Sequence, residues 1–175
     1  MSLLIFAYRK LEIIRQKGEL NYKLMTMNQK IHDLQQYASN IADGSVSMSD
    51  MMNTPGSMFN RQLMFMTYAH NGALMSAQQN MQGLMMMPHV QMQMNQMQDP
   101  NMKAMYQNWI FRSLYNQARE RAGKAEEKLL NQQEKELQKE KAKLETRLKL
   151  LEAEYDAVKQ GEDKAAQFWK PEYVA

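Results

Sequence analysis

The sequence predicts an all-α fold, an elongated long-helix coiled-coil hairpin with a Met-rich middle of helix and loop. Three observations carry that prediction. The chain of 175 residues holds only 7 Gly and 4 Pro, little turn material for its length. Apolar residues recur at steps of seven, or of four and three, toward both ends. Charge falls into three zones. Residues 1–42 carry 6 basic and 3 acidic side chains, and residues 103–175 carry 15 and 13. Residues 43–102 hold only Asp43, Asp50, Asp99 and Arg61, together with most of the 19 Met.

Residues 1–42 are expected to form one long helix. Phe6, Ile13, Leu20, Leu24, Met27, Ile31, Leu34, Ala38 and Ile41 make a sustained heptad seam. The first half is broader, because Leu3, Leu4, Ala7, Leu11 and Ile14 add a second apolar strip. A helix apolar over so much of its girth expects more than one neighbour. Asp43-Gly44 supplies the left-handed chemistry that ends helices.

Residues 43–99 form the low-charge Met/Gln-rich middle. Residues 43–57 (DGSVSMSDMMNTPGS) have loop composition. Ser57 is a candidate cap for a helix over about 57–86, with Phe59, Leu63, Met66, His70, Ala73, Ala77, Met81 and Leu84 on one stripe, and Pro88 stops it. From Val90 to Gln98 the sequence at first alternates apolar and polar, which predicts a short strand or an extended segment.

Asp99-Pro100 is the pattern of an N-cap followed by proline at the first helical position, and no further Pro comes before Pro171. A helix over 100–170 is expected from there, with Leu130, Leu137, Leu144, Leu151, Val158 and Ala165 at every seventh position. Gly123 and Gly161 are its weak points, each costing about 1 kcal/mol relative to Ala. The whole is expected to be a single structural unit in which the two terminal helices pair, in either direction.

Composition excludes most chemistry. With no Cys there is no disulfide framework, Cys-based zinc site, iron–sulfur cluster or thiol nucleophile. His32, His70 and His89 are scattered: His32 is expected on the surface beside the seam and His70 as a satisfied core residue. No Ser/His/Asp arrangement, phosphate loop or His-Glu-x-x-His unit occurs. Pairs such as Glu126-Glu127 and Glu162-Asp163 are expected on a solvated helix face. Met85-Met86-Met87 with His89, then Met92, Met94 and Met97, offers soft ligands for Cu(I). Flexible Met packing against irregular or adaptable surfaces is the stronger reading, so no metal and no cofactor is expected. Trp109, Phe111 and Tyr115, with Phe168, Trp169 and Tyr173, suit either an interface or core packing.

Interleaved charge argues against nucleic-acid binding. No stretch approaches the roughly 18–20 apolar residues of a membrane span, and the short apolar run Leu3 to Phe6 does not anchor a chain stably. In that first run the basic residues come after the apolar ones, so no cleaved signal is expected. An extracellular or cell-surface location by signal-less export is expected, with the cytoplasm as the alternative.

Long terminal helices with heptad seams around a low-charge variable middle, without Cys, resemble the flagellins and the type III secretion filament proteins. The stretch from Leu144 through Leu148, Leu151 and Tyr155 to Lys159 looks like the final helix of flagellin-like proteins. The resemblance covers residues 1–42 and 120–170, and the Asn- and Arg-rich terminal signatures of flagellin are not evident. It implies paired terminal helices stacked around a channel, and it carries over no functional residue.

The reading is therefore a non-enzymatic structural subunit that self-assembles in many copies into a helical filament or tube, with no small-molecule substrate. The residues expected at its interfaces are Leu4, Leu11, Ile14, Leu24, Ile31, Leu144, Leu151, Tyr155 and Trp169. The alternatives are a coiled-coil chaperone or scaffold taking apolar helices in a Met-rich groove, and a phage or virion structural component.

Overall fold

A computed structural model describes residues 3–42 and 48–168. Its elements are α1 (Leu3–Ala42), α2 (Met48–Met52), α3 (Gly56–Met85), α4 (Pro88–Gln96) and α5 (Pro100–Phe168). The fold is all-α, and among the described residues there is no strand. Packing divides it into two compact units, residues 3–32 with 134–168 and residues 33–133.

The first unit is an antiparallel pair made by the N-terminal part of α1 and the C-terminal part of α5. Direction is set by the ion pairs: Lys10 reaches Glu162 at 2.5 Å, while Lys17, two turns on, reaches Glu152 at 3.4 Å. Arg9 Nε donates to Glu154 at 2.7 Å. Between these charges lies the seam that the heptads predict. Ile13, Leu20 and Leu151 are buried, with Leu144, Leu148, Tyr155 and Val158 packed against them. Gly161 has a packing reason. A Cβ there would stand 2.9 Å from the Phe6 ring, so the glycine gives that ring its seat.

In the second unit α3 lies antiparallel to the N-terminal part of α5. Arg61 pairs with Glu126 near the start of α3, and His70 meets Tyr115 further along. Ala69, Ala73 and Ala77, spaced by four, are buried with Gln62 on the inner face of α3. The expected stripe is thus right at Ala73 and Ala77 but turned too far at its start, where Phe59 and Leu63 are 41% and 47% exposed. The loop expected over 43–57 contains the short α2. Its exit is tied to α1: Gln36 donates to the Asn53 carbonyl at 2.8 Å and Asn40 to Thr54 Oγ1 at 3.1 Å.

Two helix starts differ from expectation. Ser57 does not cap α3; the helix begins at Gly56 behind Pro55, and the Ser57 hydroxyl donates instead to Asp33 at 2.6 Å. Residues 90–96, expected as strand or extended chain, are helical. Pro88 disfavours helical backbone at Met87, which sits at φ −72° and ψ 132°, and so separates α3 from α4. The same proline, at the first turn of α4, opens the new helix. Burial shows the period: Val90 is 4% exposed and Met94 half-buried, whereas Met92 between them is 64% exposed. A strand would have put all three on one face. The start of α5 is as expected, with Asp99 Oδ1 accepting from the Asn101 N–H at 2.9 Å.

Candidate functional site

The nine residues expected at interfaces occupy two different places. Leu151 is buried, Leu144 and Tyr155 pack against it inside the hairpin, and Leu24 and Ile31 are half-buried on α1. Leu4, Leu11 and Ile14 are 74%, 67% and 49% exposed. Trp169 lies outside the described residues.

The exposed set belongs to a second seam. Successive helix residues are about 100° apart, so Leu11, two positions before the buried Ile13, points to nearly the opposite side of α1. From Leu4 the chain steps through Tyr8, Leu11, Arg15, Gly18, Tyr22 and Met25, alternately four and three residues apart. Tyr8, Tyr22 and Met25 are 71%, 67% and 63% exposed. In an ordinary coiled coil these outward positions are polar. Ile5 and Ile14 widen the strip on either flank. Sequence reasoning found Leu4, Leu11 and Ile14 but missed Tyr8, Tyr22 and Met25, which the same alternating count supplies.

One charged cluster interrupts this strip. The Arg15 guanidinium donates to Glu12 at 2.7 and 3.1 Å and to Glu19 at 3.0 Å, and Gln16 also donates to Glu12 at 2.9 Å. Hydrogen bonds from Arg15, then from Gln16, lower the Glu12 carboxyl to about 2. The guanidinium is therefore held by its own helix, with a carboxylate one turn away on either side.

The second unit carries the Met residues and the polar groups. Met81, Met85 and Met86 border an open concavity of about 590 Å³ with Gln78 and Gln82. His89 lies elsewhere, against Val90, Tyr106 and Trp109, and Met97 adjoins Asp99, Met102 and Tyr106. Of the groups weighed for copper, Met85 and Met86, His89, and Met97 thus border three different concavities rather than one. Among the described residues no three His, Asp or Glu side chains gather as metal ligands.

His70 is at an exposed position, not in the core; its Nδ1 lies 2.7 Å from the Tyr115 hydroxyl and its ring meets Tyr115 edge-on. His32 is exposed as expected. Trp109 is 65% exposed and stacks on Tyr106. Arg61, the only basic residue of the middle zone, bonds Glu126 at 2.7 Å and Gln133 at 2.6 Å and lies over the Tyr37 ring. Tyr37 itself is fully buried, and burial, then the Glu126 charge, pushes its hydroxyl upward. This cluster has the geometry of a packing device. Among the described residues no helix is long and apolar enough to cross a membrane. No protein-family model matches the chain, and neither the curated proteins nor the solved structures contain a match.

Proposed function

We propose that the chain is a structural subunit that self-assembles in many copies, as a filament or tube, through the outer seam of α1. The observation that carries this reading is the second row of large apolar side chains, Tyr8, Leu11, Tyr22 and Met25, on the side of the helix away from its partner in the hairpin. On the N-terminal side of the charged cluster, Leu4, Ile5, Tyr8, Leu11 and Ile14 are neighbouring exposed apolar residues, and contiguous apolar surface of more than a few hundred Å² marks an interaction site. A helix with two seams holds two neighbours, and the hairpin supplies only one of them. The polar groups support the same reading: Arg15 is tied to Glu12 and Glu19, and Arg61 to Glu126 and Gln133, as packing contacts rather than groups aimed at a substrate.

Light scattering of the purified chain across a hundredfold range of concentration, followed by negative-stain microscopy, tests this. Growing particles of regular outline are expected. A monodisperse monomer at the highest concentration would remove the reading. One observation favours a second one, a scaffold that takes an apolar helix: the open concavity bordered by Met81, Met85 and Met86, since Met adapts its shape to varied partners. A monomer that binds amphipathic peptides, and loses them on Met81→Glu, is the outcome that reading expects.

A further inference from the structure

We infer that the occupant of the outer seam of α1 is the outer face of α5 from a second copy, in the same antiparallel register as within the hairpin. The inference rests on the self-assembly reading and specifies its contact.

Size comes first. Ile5, Tyr8, Leu11, Ile14, Tyr22 and Met25 are each 49–71% exposed, and at roughly 200 Å² per large side chain they present on the order of 700 Å². A stable interface of standard size covers about 800 Å² on each partner. The exposed apolar area is therefore close to one partner's share of a standard interface.

Shape comes next. The outer face of α5 lies two positions from the half-buried Leu144 and the buried Leu151, and small residues alternate there with charged and polar ones: Ala142, Thr146, Ala153 and Ala157 are exposed, as are Lys149 and Asp156. Thr146 returns its hydroxyl to the Ala142 carbonyl at 2.8 Å, so that hydroxyl does not oppose burial. Within the hairpin Phe6 faces Gly161 and Lys17 faces Glu152. Carried to a neighbouring copy, that register sets Leu11 against Ala157 and Tyr22 against Thr146. It sets Gly18, which has open space where a Cβ would stand, against Leu150, the one large apolar residue exposed on this face (66%). Large meets small at these three positions, while Tyr8 falls opposite Gln160 and Met25 opposite Lys143.

Charge is mixed: Glu19 falls opposite Lys149, while Glu12 falls opposite Asp156 with Arg15 within a turn of that carboxylate. Because the two faces differ, the contact is heterologous. Repetition makes an open filament or a closed ring rather than a two-fold dimer.

The absence of Cys makes the test direct. One chain carries Leu11→Cys and another Ala157→Cys, both at exposed positions, and a short bis-maleimide is added to each alone and to their mixture. Circular dichroism confirms that each variant keeps its helix content. Cross-linking in the mixture, and not within either variant alone, is the expected result. Efficient cross-linking of Leu11→Cys with itself, or assembly without any cross-link, overturns the contact while leaving self-assembly intact. A wild-type chain that scatters as a monomer overturns both. In a second arm Glu19→Lys is expected to weaken assembly roughly tenfold, about 1.4 kcal/mol, and Lys149→Glu in the same chain to restore it. No recovery rejects the register.

Discussion

At the scale of residues, two glycines of identical propensity have opposite expected behaviour. A Cβ on Gly18 would meet nothing within 4 Å, whereas a Cβ on Gly161 meets the Phe6 ring. Gly18→Ala is expected to raise stability by about 1 kcal/mol through the unfolded chain's lost freedom. Gly161→Ala gains the same amount but displaces the Phe6 ring, and is expected to give no net gain; urea unfolding of the two variants side by side checks the difference. Arg61 offers a second contrast. Its side chain and that of Glu126 are 30% and 14% exposed, so Arg61→Ala leaves a carboxylate largely out of water without its partner. A loss of about 2 kcal/mol is expected, and Glu126→Gln in the same chain recovers part of it. The sequence marked Arg61 as the lone cation of its zone but not its partner, since Glu126 is 65 positions away and only the turn from α3 into α5 brings them together.

At the scale of elements, α1 and α4 show what periodicity conveys and where it is too short. Over 40 residues α1 repeats its pattern enough times for both seams to be countable. The nine residues of α4 allow only two alternations, and period two cannot be told from period 3.6 over such a stretch. Proline decided that element: Pro88 was legible as a stop for α3, and its equal fitness for the first turn of a new helix was the part left unread. For α1 the charges predict a pH response. Glu12 is lowered from 4.5 to about 2 by Arg15 and Gln16, so its contribution is fully present above pH 4.5 and is lost as pH falls toward 2. Lys10 is raised, chiefly by its hydrogen bond to Glu162, and its contribution disappears only as pH rises past 10.5. Melting followed by circular dichroism is expected to hold steady at neutral pH and to decline below pH 4.5. Glu12→Gln flattens part of that decline, and because Glu12 lies at the surface, salt at about 1 M flattens it too.

At the scale of the whole molecule, the hairpin and the proposed assembly call on different leucines, and that separation is open to experiment. Leu151 is 7% exposed among Ile13 and Leu20, whereas Leu11 is 67% exposed on the other side of α1. The sequence placed both on apolar strips and named both as interface residues; it had no means of distinguishing a strip closed within the chain from one left open, because that depends on which helix turns back on which. Leu151→Asp puts a carboxylate into the seam and is expected to lower unfolding stability by about 3–5 kcal/mol, with assembly failing because the subunit fails. Leu11→Asp changes a surface side chain, so helix content and unfolding midpoint at low concentration are expected to stay within about 0.5 kcal/mol of wild type. Light scattering should nonetheless show that the Leu11 variant remains a single subunit at concentrations where wild type has grown. If Leu11→Asp assembles as well as wild type, the outer seam is not the contact. If it unfolds as readily as Leu151→Asp, that face is already covered within the chain.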